Sequence, residues 1–385
     1  MILLLVVVLA AATAARRVGL PYPIFLVLIG LALGVAPRMP TVELEPDLVF
    51  LVFLPPILWA AAYFTSFRDF RANLRPIGLL AIGLVLATTA AVAAVAVALL
   101  PGIGWPAAIA LGAIVAPPDA AAAVAILRQV RLPYRMVKIL EGESLLNDAS
   151  ALLIYRVAVG AIAMEHLKWS EVAPVVVLAL AGSIIAGFLA ARIIPLFIER
   201  ITEAPSAIIV QFATTFLVWI GAEHLGLSGI LTIVVYAITM ARTALARMPA
   251  RLRVPSYAVW ETMVFVLNVL AFMMIGMQVR PIWTRLEQDV RWEYCVAAGW
   301  ILLAVILVRL IWVMTYGATL RKLIAHGLYH PVDPKAVPTA KSGLVVSWCG
   351  MRGIVTLATA FARRRPSPIA TSSCSRPLRS CWARW

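Results

Sequence analysis

The run Glu141-Gly142-Glu143-Ser144-Leu145-Leu146-Asn147-Asp148 decides how this chain is read. It lies inside an apolar stretch, residues 135–163, long enough to cross a bilayer as a helix. An ionisable side chain at membrane depth costs about 2.5–3.5 kcal/mol on insertion scales, so its presence signals function by default. Asp148 sits near the midpoint of the stretch. Ser144 precedes it by one helical turn, so both oxygens project from one face. Glu143 and Asn147 form the adjacent stripe. Carboxylate, amide and hydroxyl oxygens are hard ligands of the kind Na⁺ or Li⁺ accepts. Burial penalises the charged form of a carboxylate, so such a group can hold either a proton or a cation. That is the minimum equipment for exchanging one for the other. A purely structural polar cluster is the competing reading.

The rest of the chain supplies the membrane setting. Of its 385 residues 63% are hydrophobic and 13% charged, and the mean hydropathy is +0.96. Ordinary soluble domains have about 45–50% apolar and about 25% charged residues, so that class is excluded. The expected fold class is an all-α polytopic membrane protein. Twelve apolar stretches are expected to span: 1–15, 22–36, 47–65, 76–100, 106–128, 135–163, 171–199, 205–224, 226–246, 258–279, 294–320 and 340–361. The links between them are brief, which leaves no room for a soluble module. The first stretch lacks a basic leader, and Arg16 and Arg17 follow it, so it reads as a helix rather than a signal peptide.

The net charge of +15 would suggest nucleic acid in a soluble protein. Here loops after odd-numbered spans carry nineteen Lys and Arg, and loops after even-numbered spans carry five. By the positive-inside rule the odd loops are cytoplasmic and the N-terminus lies outside. No nucleic-acid partner is needed. Cys295, Cys349, Cys374 and Cys381 form no CxxC pair, and no disulfide or zinc framework is expected.

Three further spans carry charge near their centres. The fifth contains Ala116-Pro117-Pro118-Asp119. Two prolines break the helical ladder and free backbone carbonyls, so Asp119 beside them makes a cation site; a kink capped by Asp119 is the alternative. Arg309, in the eleventh span, matches Glu143 in depth, so a buried Glu143–Arg309 ion pair with an architectural role is expected. Breaking such a pair would cost roughly 3–5 kcal/mol. The twelfth span carries Gly350-Met351-Arg352-Gly353, a second expected break in which Arg352 offsets the carbonyl ends of broken helices. Broken helices seven spans apart run in opposite directions, which points to an inverted-repeat transporter with its site at the midplane.

Other residues take plainer readings. Arg156 and Glu223 lie toward the outer side, paired or interfacial. Glu261 and Asn268 line the bundle, Pro55 and Pro56 kink the third span, and runs such as Ala120–Ala123 suit close helix packing. No HExxH or GxSxG arrangement is present, so the chain is not read as an enzyme. A passive cation channel is the remaining alternative of a different class.

Phe53-Leu54-Pro55-Pro56-Ile57-Leu58, Ala116-Pro117-Pro118-Asp119-Ala120, the 141–148 run and Gly350-Met351-Arg352-Gly353 together resemble bacterial sodium/proton antiporters of the NhaP/NHE type. The resemblance covers about residues 1–361. It implies thirteen helices, crossed unwound helices five and twelve, and a homodimer in the bacterial cytoplasmic membrane. It implies pH homeostasis by electroneutral exchange of one Na⁺ (or Li⁺, sometimes K⁺) for one proton, with no cofactor and an elevator-like alternating access. The aspartate matching Asp148 would bind cation and proton in turn. Ser144, Asn147, Asp119 and a backbone carbonyl near Pro118 would complete or orient the site, with Na⁺ at Asp148, Ser144 and Asp119. Glu143 and Arg309 would be the structural ion pair. Asn147, where electrogenic relatives carry a second Asp, points to the electroneutral branch.

Two departures stand against the pattern. Ala60 occupies the place where some archaeal relatives carry a carboxylate ligand. The stretch 362–385, rich in Arg, Ser, Pro, Cys and Trp, does not resemble the family's ending and reads as a shifted frame or a truncation. On this division residues 1–361 form the exchanger domain. Repeat one covers about 1–163, a linking helix about 171–199, and an incomplete repeat two about 205–361. A folded but inactive truncated antiporter is therefore a second expectation.

Overall fold

The computed structural model describes residues 22–35, 46–100, 102–118, 133–163, 169–198, 200–285, 288–328 and 339–349. Every regular element among them is a helix. In chain order these are α1 (Tyr22–Val35), α2 (Pro46–Phe64), α3 (Phe67–Ala72), α4 (Leu74–Leu99), α5 (Trp105–Val115) and α6 (Tyr134–Ala163). They continue as α7 (Trp169–Ile198), α8 (Ala204–His224), α9 (Gly229–Arg247), α10 (Ala250–Arg285), α11 (Gln288–Ala325) and α12 (Ala340–Cys349). Among the described residues six helices are long and apolar enough to cross a membrane: α4, α6, α7, α8, α10 and α11. Apolar segments within α1, α2, α5 and α9 are shorter. The expected first span, the second half of the fifth and the end of the twelfth lie outside the described residues.

The described helices fall into two contact units, and α10 contributes to both, changing over between Leu267 and Asn268. One unit comprises α1, α3–α6, the later part of α10, α11 and α12. In it α4 is the central element. Val92 packs with Val115 of α5 and with Ile301 and Val305 of α11. One to two turns earlier, Val85 meets Ala116 and Ala151. Leu80 and Leu84 meet Val313, with Ile139 and Val346 against them. A π-helical stretch, Leu79–Leu84, interrupts α4 where it packs on α6 and α11. α5 runs back along α4 at very short range, because Gly112 has no side chain: a Cβ there would stand 2.5 Å from the Thr89 carbonyl oxygen. Separately, α1 seats Leu26 and Val27 against Val269, Phe272 and Met273 of α10.

The short helix α3 is fixed to the start of α6. Ser66 accepts a weak hydrogen bond from the Asp69 amide at 3.5 Å, as an N-cap does. Phe70 is buried, and a side chain at Gly142 would collide with it and with Ile77. The Tyr134 hydroxyl donates to Asp69 Oδ2 at 2.8 Å, and Arg135 Nε donates to Asn73 Oδ1 at 2.9 Å.

The other unit comprises α2, α7, α8, α9 and the first part of α10. Its core is aromatic: Tyr63, Trp59, Trp260 and Phe212 stack in succession, with centroids 4.5, 4.1 and 4.0 Å apart. Gln211, 2% exposed, accepts from Ser256 Oγ at 2.7 Å and from Trp260 Nε1 at 2.9 Å. Interhelical hydrogen bonds of this kind hold helices together in lipid, where apolar burial gives little driving force.

Candidate ion-binding site

The α6 helix carries four of the expected site residues. Its first turns are steadied by α3, and its middle packs against α4 and α5. Glu143 is 1% exposed and Asn147 0% exposed, whereas Ser144 and Asp148 are partly buried. α5 ends at Val115, just before the two prolines, whose missing N–H groups remove the next ladder bonds. The chain then brings the Pro118 carbonyl to α6, where Asn147 Nδ2 donates to it at 3.4 Å. Asn147 Oδ1 is buried and has no hydrogen-bond partner among the described residues. A buried acceptor left without a donor is rare in a native protein and calls for an ion, a water or a chemical role. The described part of the site is thus an amide oxygen beside the carbonyl that follows the end of α5, one residue from Asp148. Asp119 and Arg352 lie outside the described residues.

Glu143 and Arg309 face each other across α6 and α11. Arg309 Nη1 donates to Glu143 Oε1 at 2.6 Å, and Nη2 donates to Oε2 at 3.1 Å. This is a bidentate pair, the stronger carboxylate–guanidinium geometry. Nη2 also reaches the Val346 carbonyl at 3.4 Å, so Arg309 touches α6 and α12 together. Its Nε is buried with no hydrogen-bond partner among the described residues.

The remaining candidates are dispersed. Glu223 Oε1 accepts from the Gly229 amide at 2.9 Å and so caps α9. Arg156 and Glu261 are exposed, Asn268 is partly buried, and Pro55 and Pro56 are buried within α2. Sequence reasoning passed over Gln211, Ser256 and Trp260. An amide eight residues into an apolar span was the available signal, because an unpaired amide in hydrocarbon is also costly.

A family model described as "Sodium/hydrogen exchanger, transmembrane" matches residues 2–373. The chain belongs to the sodium/hydrogen exchanger family. Proteins of this family are transporters rather than enzymes. The match runs past residue 361, into the stretch whose composition reads as foreign to the family. A sodium, potassium, lithium and rubidium/H⁺ antiporter of Bacillus pumilus is 32% identical over 356 residues, 89% of this chain and 52% of that protein. An uncharacterized Na⁺/H⁺ exchanger of Mycobacterium tuberculosis is 33% identical, covering 97% of this chain and 68% of the relative. This exchanger-family chain spans about half the length of the Bacillus relatives it matches. The solved sodium proton antiporter MjNhaP1 from Methanocaldococcus jannaschii superposes with a TM-score of 0.68 at 18% identity. That likeness covers 93% of this chain and 85% of the other, and shows an NhaP-type fold.

Proposed function

We propose that this chain exchanges Na⁺ (or Li⁺ or K⁺) for H⁺ across the bacterial cytoplasmic membrane. Asp148 binds cation and proton in turn, and one replaces the other, so the exchange is electroneutral. Asn147, Ser144, Asp119 and the Pro118 carbonyl complete the ligand set around Na⁺. Glu143 and Arg309 hold α6 and α11 at fixed separation, and Arg352 balances charge at the second helix break. The working protein has thirteen helices in inverted repeats, an outside N-terminus and a homodimeric assembly, and it alternates access between the two sides. The lipid bilayer is its surrounding medium.

One observation carries this reading: Asn147 is completely buried, keeps an acceptor oxygen with no partner among the described residues, and lies beside the Pro118 carbonyl just past the end of α5. A cation site needs oxygens held out of water without competing donors. Membership of the exchanger family names the counter-ion.

The test is cation-dependent proton release from everted vesicles. Wild-type chain should dissipate a preset pH gradient on Na⁺ addition, Asp148→Asn should not, and Asp148→Glu should retain part. Undiminished exchange in Asp148→Asn would remove Asp148 from the mechanism.

A further inference from the structure

We infer that α3 and the first turns of α4 form a binding site for an anionic phospholipid, and that α3 transmits its occupancy to α6. The site is made of Arg68, Arg71 and Arg75, all exposed. They recur at steps of three and four residues through α3 and into the first turn of α4. No hydrogen bond or ion pair to the side chain of Arg71 or Arg75 is found among the described residues. The one acid among them, Asp69, takes the Tyr134 hydroxyl at 2.8 Å. That bond, followed by the Ser66 contact, holds its carboxyl below the usual carboxylate range. Asp69 is therefore ionised and engaged at neutral pH and does not titrate there.

Along α4 beyond Arg75 runs an apolar stripe. Leu79, Ile82 and Leu86 of α4 are 43%, 52% and 52% exposed. The segment Leu74–Leu99 is long and apolar enough to span, and Leu74 at its foot is itself exposed. Three exposed guanidinium groups beside an apolar stripe, two of them with no side-chain partner among the described residues, match a lipid's phosphate and acyl chain. Guanidinium groups bind phosphate as a bidentate fork. Each basic side chain near an anionic bilayer is worth roughly fivefold in affinity.

The route inward is also present. α3 meets the first turns of α6 through Phe70 at Gly142, Asp69 at Tyr134 and Asn73 at Arg135. Gly142 directly precedes Glu143, and Asn147 and Asp148 follow within six residues. A lipid that pulls on α3 therefore acts on the helix that carries the proposed site.

The decisive experiment is native mass spectrometry of the purified full chain, titrated with phosphatidylglycerol or phosphatidylcholine. Phosphatidylglycerol should bind selectively. The triple variant Arg68→Gln, Arg71→Gln, Arg75→Gln should lose roughly a hundredfold in that affinity, and the triple Lys variant should keep most of it. Undiminished phosphatidylglycerol binding in the Gln variant overturns the site. Equal binding of phosphatidylcholine, or displacement by inorganic phosphate, also overturns it. The single variant Arg75→Gln covers a triple variant that does not fold; it should lose roughly fivefold, and no loss overturns the site.

The transmission step rests on the exchange reading. In phosphatidylcholine vesicles with and without phosphatidylglycerol, the Na⁺ KM of the wild type should shift severalfold. Tyr134→Phe should bind the lipid normally and lose the shift. A shift retained in Tyr134→Phe refutes the route through α3. Absence of exchange in every vesicle refutes the exchange reading and leaves the binding result to decide the site.

Discussion

Removing either member of the Glu143–Arg309 pair should destabilise the chain more than removing both. The two side chains are 1% and 4% exposed and share two hydrogen bonds, at 2.6 and 3.1 Å. Glu143→Met strands a guanidinium whose Nε has no acceptor among the described residues and whose remaining hydrogen bond among them is to the Val346 carbonyl at 3.4 Å. A buried charge stripped of its partner costs about 3–5 kcal/mol. Arg309→Met leaves the carboxylate in the same position, at a similar cost. The double variant places two apolar side chains of similar length in the space and removes both desolvation penalties. Replacing a buried pair in this way is often neutral, so the double should be more stable than either single. The measurement is unfolding of the purified chain in mild detergent, arranged as a double-mutant cycle. Singles that cost under about 1 kcal/mol, or a double as destabilised as their sum, would refute the reasoning.

Three further outcomes follow from the packing and the charges. Gln211→Leu should lower stability by about 2–4 kcal/mol, because it strands the Ser256 hydroxyl and the Trp260 indole N–H; thermal unfolding in detergent reads this. Gly112→Val should push α4 and α5 apart, since its Cβ meets the Thr89 backbone; a drop in melting temperature checks it, and Gly112→Ala should cost less. The Asp69 carboxyl has a folded pKa below its unfolded one. Its stabilising contribution is therefore present above the ordinary carboxylate pKa and lost as pH falls through the folded value. Tyr134→Phe should raise that pKa, so the acid limb of the stability profile should move to higher pH.

Much of the architecture is legible in the sequence because charge in a bilayer is costly. Glu143 and Arg309 can be matched by depth alone, and the structure brings them into a bidentate contact. Pro117 and Pro118 mark the end of α5, because neither can donate to the ladder. Other features leave little trace. Hydropathy ends the tenth and eleventh spans at their flanking charges, yet α10 and α11 continue to 250–285 and 288–325, since backbone hydrogen bonds are indifferent to side-chain polarity. The π-helical stretch in α4 has no composition of its own. The Gln211 network joins residues 45 and 49 positions apart, and only the packed fold pairs them. By contrast Ser66-Phe67-Arg68-Asp69 has the spacing of a capping box, and α3 could have been found from it.

The central claim is that cation and proton compete for one carboxylate. Equilibrium binding of ²²Na⁺ to the purified chain across a pH series tests it most directly. Competition at Asp148 predicts that the Na⁺ Kd rises about tenfold for each pH unit below the pKa of that carboxyl. It also predicts that well below that pKa one proton is released for each Na⁺ bound, and that Asp148→Asn shows neither effect. A Kd independent of pH, or the same pH dependence in Asp148→Asn, would contradict it.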